Sequence, residues 1–170
     1  GTSFEQETPF KDTDSGWKVK LRYNSRITGH PTNLILDLTH SDKEIVVTET
    51  ELRKLIQEYD EDCEFKMRTY SLVEITAEKS RALCQRGYPR DLYDVCNLWP
   101  MVKKDVVKEV FEKKCDFKGF EPTLEAYDGF EEKLKGAWEK SLKHQFKELP
   151  SFAETYQKSR DILKDFLGVQ

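Results

Sequence analysis

"SLVEITAEKSRALCQRGYPRDLYDVCNLW", residues 71–99, is where the hydrophobic rhythm of the chain changes. Before it, apolar residues alternate. From Ser71 onward they recur at helical spacing, which separates strand from helix. Ser71 followed by Glu74 has the capping-box spacing, so each side chain is expected to satisfy a backbone N–H of a first helical turn. The stripe of this helix, 71–86, reads Leu72, Ile75, Lys79, Ala82 and Leu83, and Lys79 interrupts it. Lysine is rarely buried without a partner. Either Lys79 lies at the stripe edge and reaches water along its aliphatic stem, or it points into a cleft and meets an anion.

After Gly87-Tyr88, Pro89 suits the first position of a second helix. Its stripe is Leu92, Val95, Cys96 and Trp99, and Pro100 ends it. Asp91 and Asp94 lie near its start. Interaction with the positive helix end explains carboxylates there without any chemistry. The alternative is that one of them enters the same cleft as Lys79.

Upstream, Trp17, Val19, Leu21 and Tyr23 alternate with Lys18, Lys20 and Arg22, which predicts a strand over 17–23 with one wet face. "LILDLT" (34–39), "EIVV" (44–47) and "EFKMRTY" (64–70) read as further strands. Asp37 is unusual inside an apolar run, since strands are poor in aspartate. It faces solvent or serves as a ligand for a hard cation such as Mg²⁺, which takes carboxylates together with substrate phosphates.

Downstream, helices are expected over roughly 102–115, with Val106, Val110 and Phe111 inward, and 123–146. The second has the stripe Tyr127, Phe130, Leu134, Trp138, Leu142 and Phe146, with Gly129 as a point of bending. A last helix follows Pro150, where Ser151 and Glu154 repeat the capping spacing and Phe152, Tyr156, Ile162, Leu163 and Phe166 supply the stripe. Strands first and helices after predict an α+β chain, a sheet followed by a helical bundle. The expected division is 1–100 and 101–170.

The totals narrow the classes. The 170 residues carry a net charge of −4, so the chain does not advertise non-specific nucleic-acid binding. Lys103, Lys104, Lys108, Lys113 and Lys114 form one candidate basic surface. No apolar run approaches a membrane span, and no signal peptide is expected. Cys63, Cys84, Cys96 and Cys115 match no zinc spacing and read as ordinary thiols of a cytoplasmic protein. His30, His40 and His144 share no metal-ligand spacing, and there is no glycine-rich phosphate loop.

The segments "EITAEKSRAL" and "RGYPRDLYDV" resemble the AbiEii toxin family of nucleotidyltransferases. The matching residues are Glu74, Ile75, Glu78, Lys79, Ala82, Leu83 and Arg86, then the run Pro89, Arg90, Asp91, Leu92, Tyr93 and Asp94. "LILDLT", "AWEKSL" and "LPSFAETY" resemble the family more loosely. The resemblance implies a polymerase-β-like fold, an NTP donor and Mg²⁺. It assigns Asp37 to the metal site and Lys79 to the nucleotide triphosphate. It makes Asp91 the first aspartate of an Asp-x-x-Asp motif completing the nucleotide site, with Asp94 its partner and Arg90 adding positive charge. Lys79 and Asp91 are thereby the candidate catalytic pair. RNA as acceptor and an antitoxin protein as partner are further expectations.

One departure counts against chemistry. The family's first motif, Gly-Ser followed by Asp-x-Asp on a strand, is absent: there is no Gly-Ser pair, and "DTD" (12–14) and "DED" (60–62) lack the preceding Gly-Ser and the apolar strand context. The expectation is a fragment of a longer enzyme, or a degenerate relative, that is inactive or nearly so by itself. Three readings stand side by side: part of a nucleotidyltransferase, a non-catalytic module that docks a partner protein, and an α+β domain whose charges all face water.

Overall fold

A computed structural model describes residues 3–54 and 65–169. The chain forms two compact units, 1–45 and 46–170.

The first unit is a four-stranded antiparallel sheet. Its strands are β1 (Glu5–Gln6), β2 (Lys11–Thr13), β3 (Gly16–Asn24) and β4 (Pro31–Thr39). β1 and β2 pair with β3, and β4 runs along β3 over nine residue pairs, from Gly16 opposite Thr39 to Asn24 opposite Pro31. This register sorts the side chains. Trp17, Val19 and Leu21 lie across from Leu38, Leu36 and Leu34, while Lys18 lies directly across from Asp37. The wet face expected of β3 is therefore continued by Asp37 on β4. Gly16 is forced by contact, because a Cβ there would sit 1.9 Å from the Leu38 carbonyl oxygen.

The second unit holds a hairpin and six helices among the described residues. The hairpin pairs β5 (Glu51–Lys54) with β6 (Lys66–Thr69). β6 falls within the expected strand at 64–70. Its partner gave no pattern, since Leu52 is the single apolar residue of "ELRK" and is itself exposed. The run 44–47 is not a strand. The N–H groups of Val47 and Thr48 donate to the Glu74 carboxylate, with Thr48 at 2.9 Å, so this backbone is satisfied by a side chain instead of a ladder.

The helices are α1 (Leu72–Arg86), α2 (Pro89–Leu98), α3 (Lys104–Phe117), α4 (Leu124–Asp128), α5 (Glu131–Leu142) and α6 (Phe152–Leu167). α1 packs on α2 and α3, and α2 also meets α5 and α6. Leu83, Leu92, Val95, Leu134 and Leu163 are fully buried there. Each contributes roughly 1.5–3 kcal/mol through apolar burial. The expected helix over 123–146 is broken at Gly129, and Phe130 leads into α5. A bidentate pair between Arg160 and Asp128, 2.8 Å at both contacts, ties α4 to α6. On α3 the inward valine is Val107, and Val106 is exposed. Stripes at 3.6 residues per turn leave a one-residue ambiguity that packing resolves.

The two capping boxes fare differently from expectation. Ser71 accepts from the Glu74 N–H at 3.0 Å, as a cap should. Glu74 does not return the bond, because its carboxylate is committed to Val47, Thr48 and Lys114. Ser151 makes no side-chain cap bond. Cys84, Cys96 and Cys115 are buried free thiols, and burial pushes Cys84 up to about 12 and Cys96 and Cys115 to about 11. Cys63 and the "DED" run lie outside the described residues.

Candidate nucleotide-phosphate site

Two features of the 71–99 stretch bring Lys79 and Asp91 together. Gly87 closes α1 in the left-handed region, φ 57°, with its N–H donating to Leu83 O. A Cβ at this position would lie 2.5 Å from the Phe130 ring, so both the dihedral and the space demand glycine. Tyr88 is the single residue before α2, and the link turns α2 back alongside α1. Asp91 and Asp94 are then three apart on one helix, which puts them on one face.

The Lys79 ammonium sits between them, 3.0 Å from Asp91 Oδ1 and 2.8 Å from Asp94 Oδ2. Asp91 is buried, with 2% of its side chain exposed, and its other oxygen takes Arg86 at 2.9 Å. Partial burial alone would lower the Lys79 pKa, but the bonds to Asp94 and Asp91 outweigh it and hold the pKa above its ordinary value. Lys79 is therefore a cation throughout the neutral range. An ammonium has three donors, and the carboxylates account for two of them.

Lys79 is one-third exposed, so it does lie at the edge of the buried stripe. Thr76, Ala77, Ser80 and Leu83 carry the inward face instead. The edge position and the anion contact occur together. Asp91 lies in the first turn of α2, where the helix end also favours a carboxylate.

Lys79, Arg90 and Asp91 line a cavity of about 530 Å³, whose far wall is α5 and the turn after it, with Lys133, Ala137, Lys140, Ser141 and His144. Counting Arg86, five lysine and arginine side chains face one carboxylate there. In a chain of net charge −4 this is a concentrated positive site. A larger groove beside Trp99 mixes Lys104 and Lys158 with Glu154, Asp161 and Asp165, and does not select anions. The cavity's α5 wall is not revealed by the apolar stripe beside it. Its signal is the spacing of Lys133, Ala137, Lys140, Ser141 and His144, a polar helical face with a small residue near its middle, running beside the apolar stripe.

Asp37 belongs to the first unit, where Lys18 pairs with it at 3.2 Å and both side chains are exposed. Among the described residues no three His, Cys, Asp or Glu side chains cluster as a metal site. Asp12 of the "DTD" run is paired with His40 at 3.0 Å. The described residues thus supply no preformed ligand set for Mg²⁺, which prefers several oxygen ligands in a fixed geometry.

The expected basic surface of α3 is not uniform. Lys114 is fully buried, with its ammonium 2.8 Å from the equally buried Glu74 and 3.5 Å from Glu78. Lys108 pairs with Asp165 and Lys113 with Glu109. Neighbouring helical lysines meet opposite fates: Lys113 is exposed, while Lys114, the next residue, sits on the packed face.

The model of the family described as nucleotidyl transferase AbiEii toxin, type IV TA system, matches residues 1–163. No curated protein matches, and no solved structure does. Among the described residues no helix is long and apolar enough to cross a membrane.

Proposed function

The chain belongs to the AbiEii nucleotidyltransferase toxin family of type IV toxin–antitoxin systems, and on that footing we propose that the cavity beside Lys79 binds the phosphates of a nucleoside triphosphate. The observation that carries the reading is the Lys79 ammonium, held between Asp91 and Asp94 at the edge of a cation-lined cavity. Asp91 is the positioning group: its carboxylate fixes both Lys79 and Arg86. Lys79 supplies charge to the phosphates, with Arg90 beside it, and Asp94 holds the ammonium from the second side. Phosphoryl chemistry asks a protein mainly for such placement and charge neutralisation.

The acceptor in this reading is RNA, the protein partner is the cognate antitoxin, and the compartment is the cytoplasm. Mg²⁺ enters as the companion of the triphosphate. The family resemblance alone names Asp37 as its ligand, and no step is routed through the metal.

Lacking a Gly-Ser…Asp-x-Asp motif, the 170-residue chain alone transfers little or no nucleotide. That same sequence feature favours the second reading, a non-catalytic module that docks a partner protein. Calorimetric titration with each of the four NTPs and Mg²⁺ separates the two. The first reading expects saturable binding, weakened about tenfold or more by Lys79→Ala. Absence of binding at millimolar NTP removes the first reading and leaves the docking module.

A further inference from the structure

We propose that the α5 wall of the same cavity, Lys133 and Lys140 on either side of Ala137, is a second phosphate-binding face. It closes on the polyphosphate of a small phosphorylated ligand from the side opposite Lys79. The inference rests on the nucleotide reading of the cavity and adds residues that lie outside the matched motif of residues 74–94.

The helix carries two faces with separate tasks. Leu134, Trp138 and Leu142 are buried in the core, and Trp138 Nε1 donates to Pro150 O at 3.0 Å. That anchoring fixes the direction of the neighbouring face, where Lys133, Ala137, Lys140, Ser141 and His144 follow at spacings of four, three, one and three. Such spacings place them along one side of a helix. Ala137 brings almost no side chain into the cavity, so a ligand can approach the helix between the two lysines.

Lys140 and Arg90 have no carboxylate within salt-bridge distance among the described residues. Lys133 donates to the Arg86 carbonyl at the end of α1 at 2.5 Å and lies 5.0 Å from the Tyr88 ring centre. Its ammonium is thereby held over the cavity mouth with donors to spare. Uncompensated cations at close quarters repel one another, and a polyanion between them reverses the sign of that interaction. Exposed lysines on a lone helix are usually just solvated. These two differ because they face three further cations across a bounded cavity. The volume of about 530 Å³ lies in the range of small-molecule sites, which favours a nucleotide-sized ligand over a long strand.

The test is calorimetric titration of the full chain with inorganic tripolyphosphate, with ATP–Mg²⁺ and with a single-stranded oligoribonucleotide. The variants are Lys140→Gln, the double variant Lys133→Gln/Lys140→Gln, and Lys79→Gln. Circular dichroism and thermal melting report the fold. Lys140→Gln breaks no hydrogen bond or ion pair among the described residues, so it keeps the test decisive if the double variant unfolds. The expected result is a loss of tripolyphosphate affinity, about tenfold in the double variant and a few-fold in Lys140→Gln. Unchanged tripolyphosphate binding in both overturns the proposal, as does a loss confined to the oligoribonucleotide. If Lys79→Gln alone weakens binding, the α5 wall falls and the nucleotide reading stands. If the α5 variants weaken it and Lys79→Gln does not, the wall stands and Lys79 leaves the site.

Discussion

Helix α1 carries two ionic networks on different sides, and they do opposite things. On one side Glu74 and Glu78 enclose Lys114, and both Glu74 and Lys114 are sealed from water. Every strong partner comes from within the fold: an ammonium on α3 and the N–H groups of Val47 and Thr48. On the other side Lys79, Arg86, Asp91 and Asp94 form a network in which Asp91 alone is buried. Its cations lie at the edge of an open cavity. Glu74 and Glu78 of the first network and all four residues of the second fall inside one continuous motif, Glu74 to Asp94, whereas Lys114 comes from α3. The comparison teaches that a recognisable motif mixes residues sealed inside the scaffold with residues that line a cavity. Burial of both partners, not charge or motif membership, tells them apart.

The largest expected effect tests the sealed network. Lys114→Met leaves the Glu74 carboxylate buried without its cation, and breaking a buried pair this way costs about 3–5 kcal/mol. Urea denaturation should show the loss, and a cost below about 1 kcal/mol would place Lys114 with ordinary surface lysines. Asp91→Asn comes next. It frees two cations from their shared anion, and the expected loss is about 1–3 kcal/mol, because a buried polar group keeps only weaker partners. It should also weaken triphosphate binding, and a stability loss with no change in binding would confine Asp91 to the scaffold.

Lys79→Ala sharpens the contrast from the other side. Arg86 still partners Asp91, so the stability change should stay near 1 kcal/mol or less, in the range of partly exposed pairs. Triphosphate affinity should fall far more. A variant that melts early and binds normally would move Lys79 into the scaffold class.

The smallest effect is on acid stability. Burial would raise the Glu74 pKa, but the Lys114 ammonium and the Thr48 and Val47 N–H groups hold it below its ordinary 4.5. A carboxylate with a depressed folded pKa contributes stability above its unfolded value and loses it as pH falls through the folded one. The chain should therefore weaken below about pH 4.5, and Glu74→Gln should flatten that part of the pH–stability curve relative to wild type. Identical slopes would mean that other carboxylates dominate.

Much of the architecture was legible because periodicity is a local property. The order of strands then helices, the start of α2 at Pro89 and the buried stripe of that helix follow from spacing alone. The misreadings share a cause. Spacing points to Val106 where Val107 is buried, to a strand at 44–47 and to a reciprocal cap at Glu74. In each case a partner distant in sequence decided the outcome: the helices against α3, and the Glu74 carboxylate for the Val47 backbone. β5 left no pattern because its two faces are both wet.

The sequence by itself determined the family, through thirteen matching residues between Glu74 and Asp94, and it determined that Lys79 and the two aspartates lie on adjacent helices. It also determined the tight turn between them, since Gly87 takes a left-handed dihedral that other residues resist. The tertiary structure decided which ions are sealed in the scaffold and which line the cavity. That sorting depends on desolvation, and desolvation is set by neighbours far along the chain: Val47 and Lys114 for Glu74, and α5 for the cavity at Lys79.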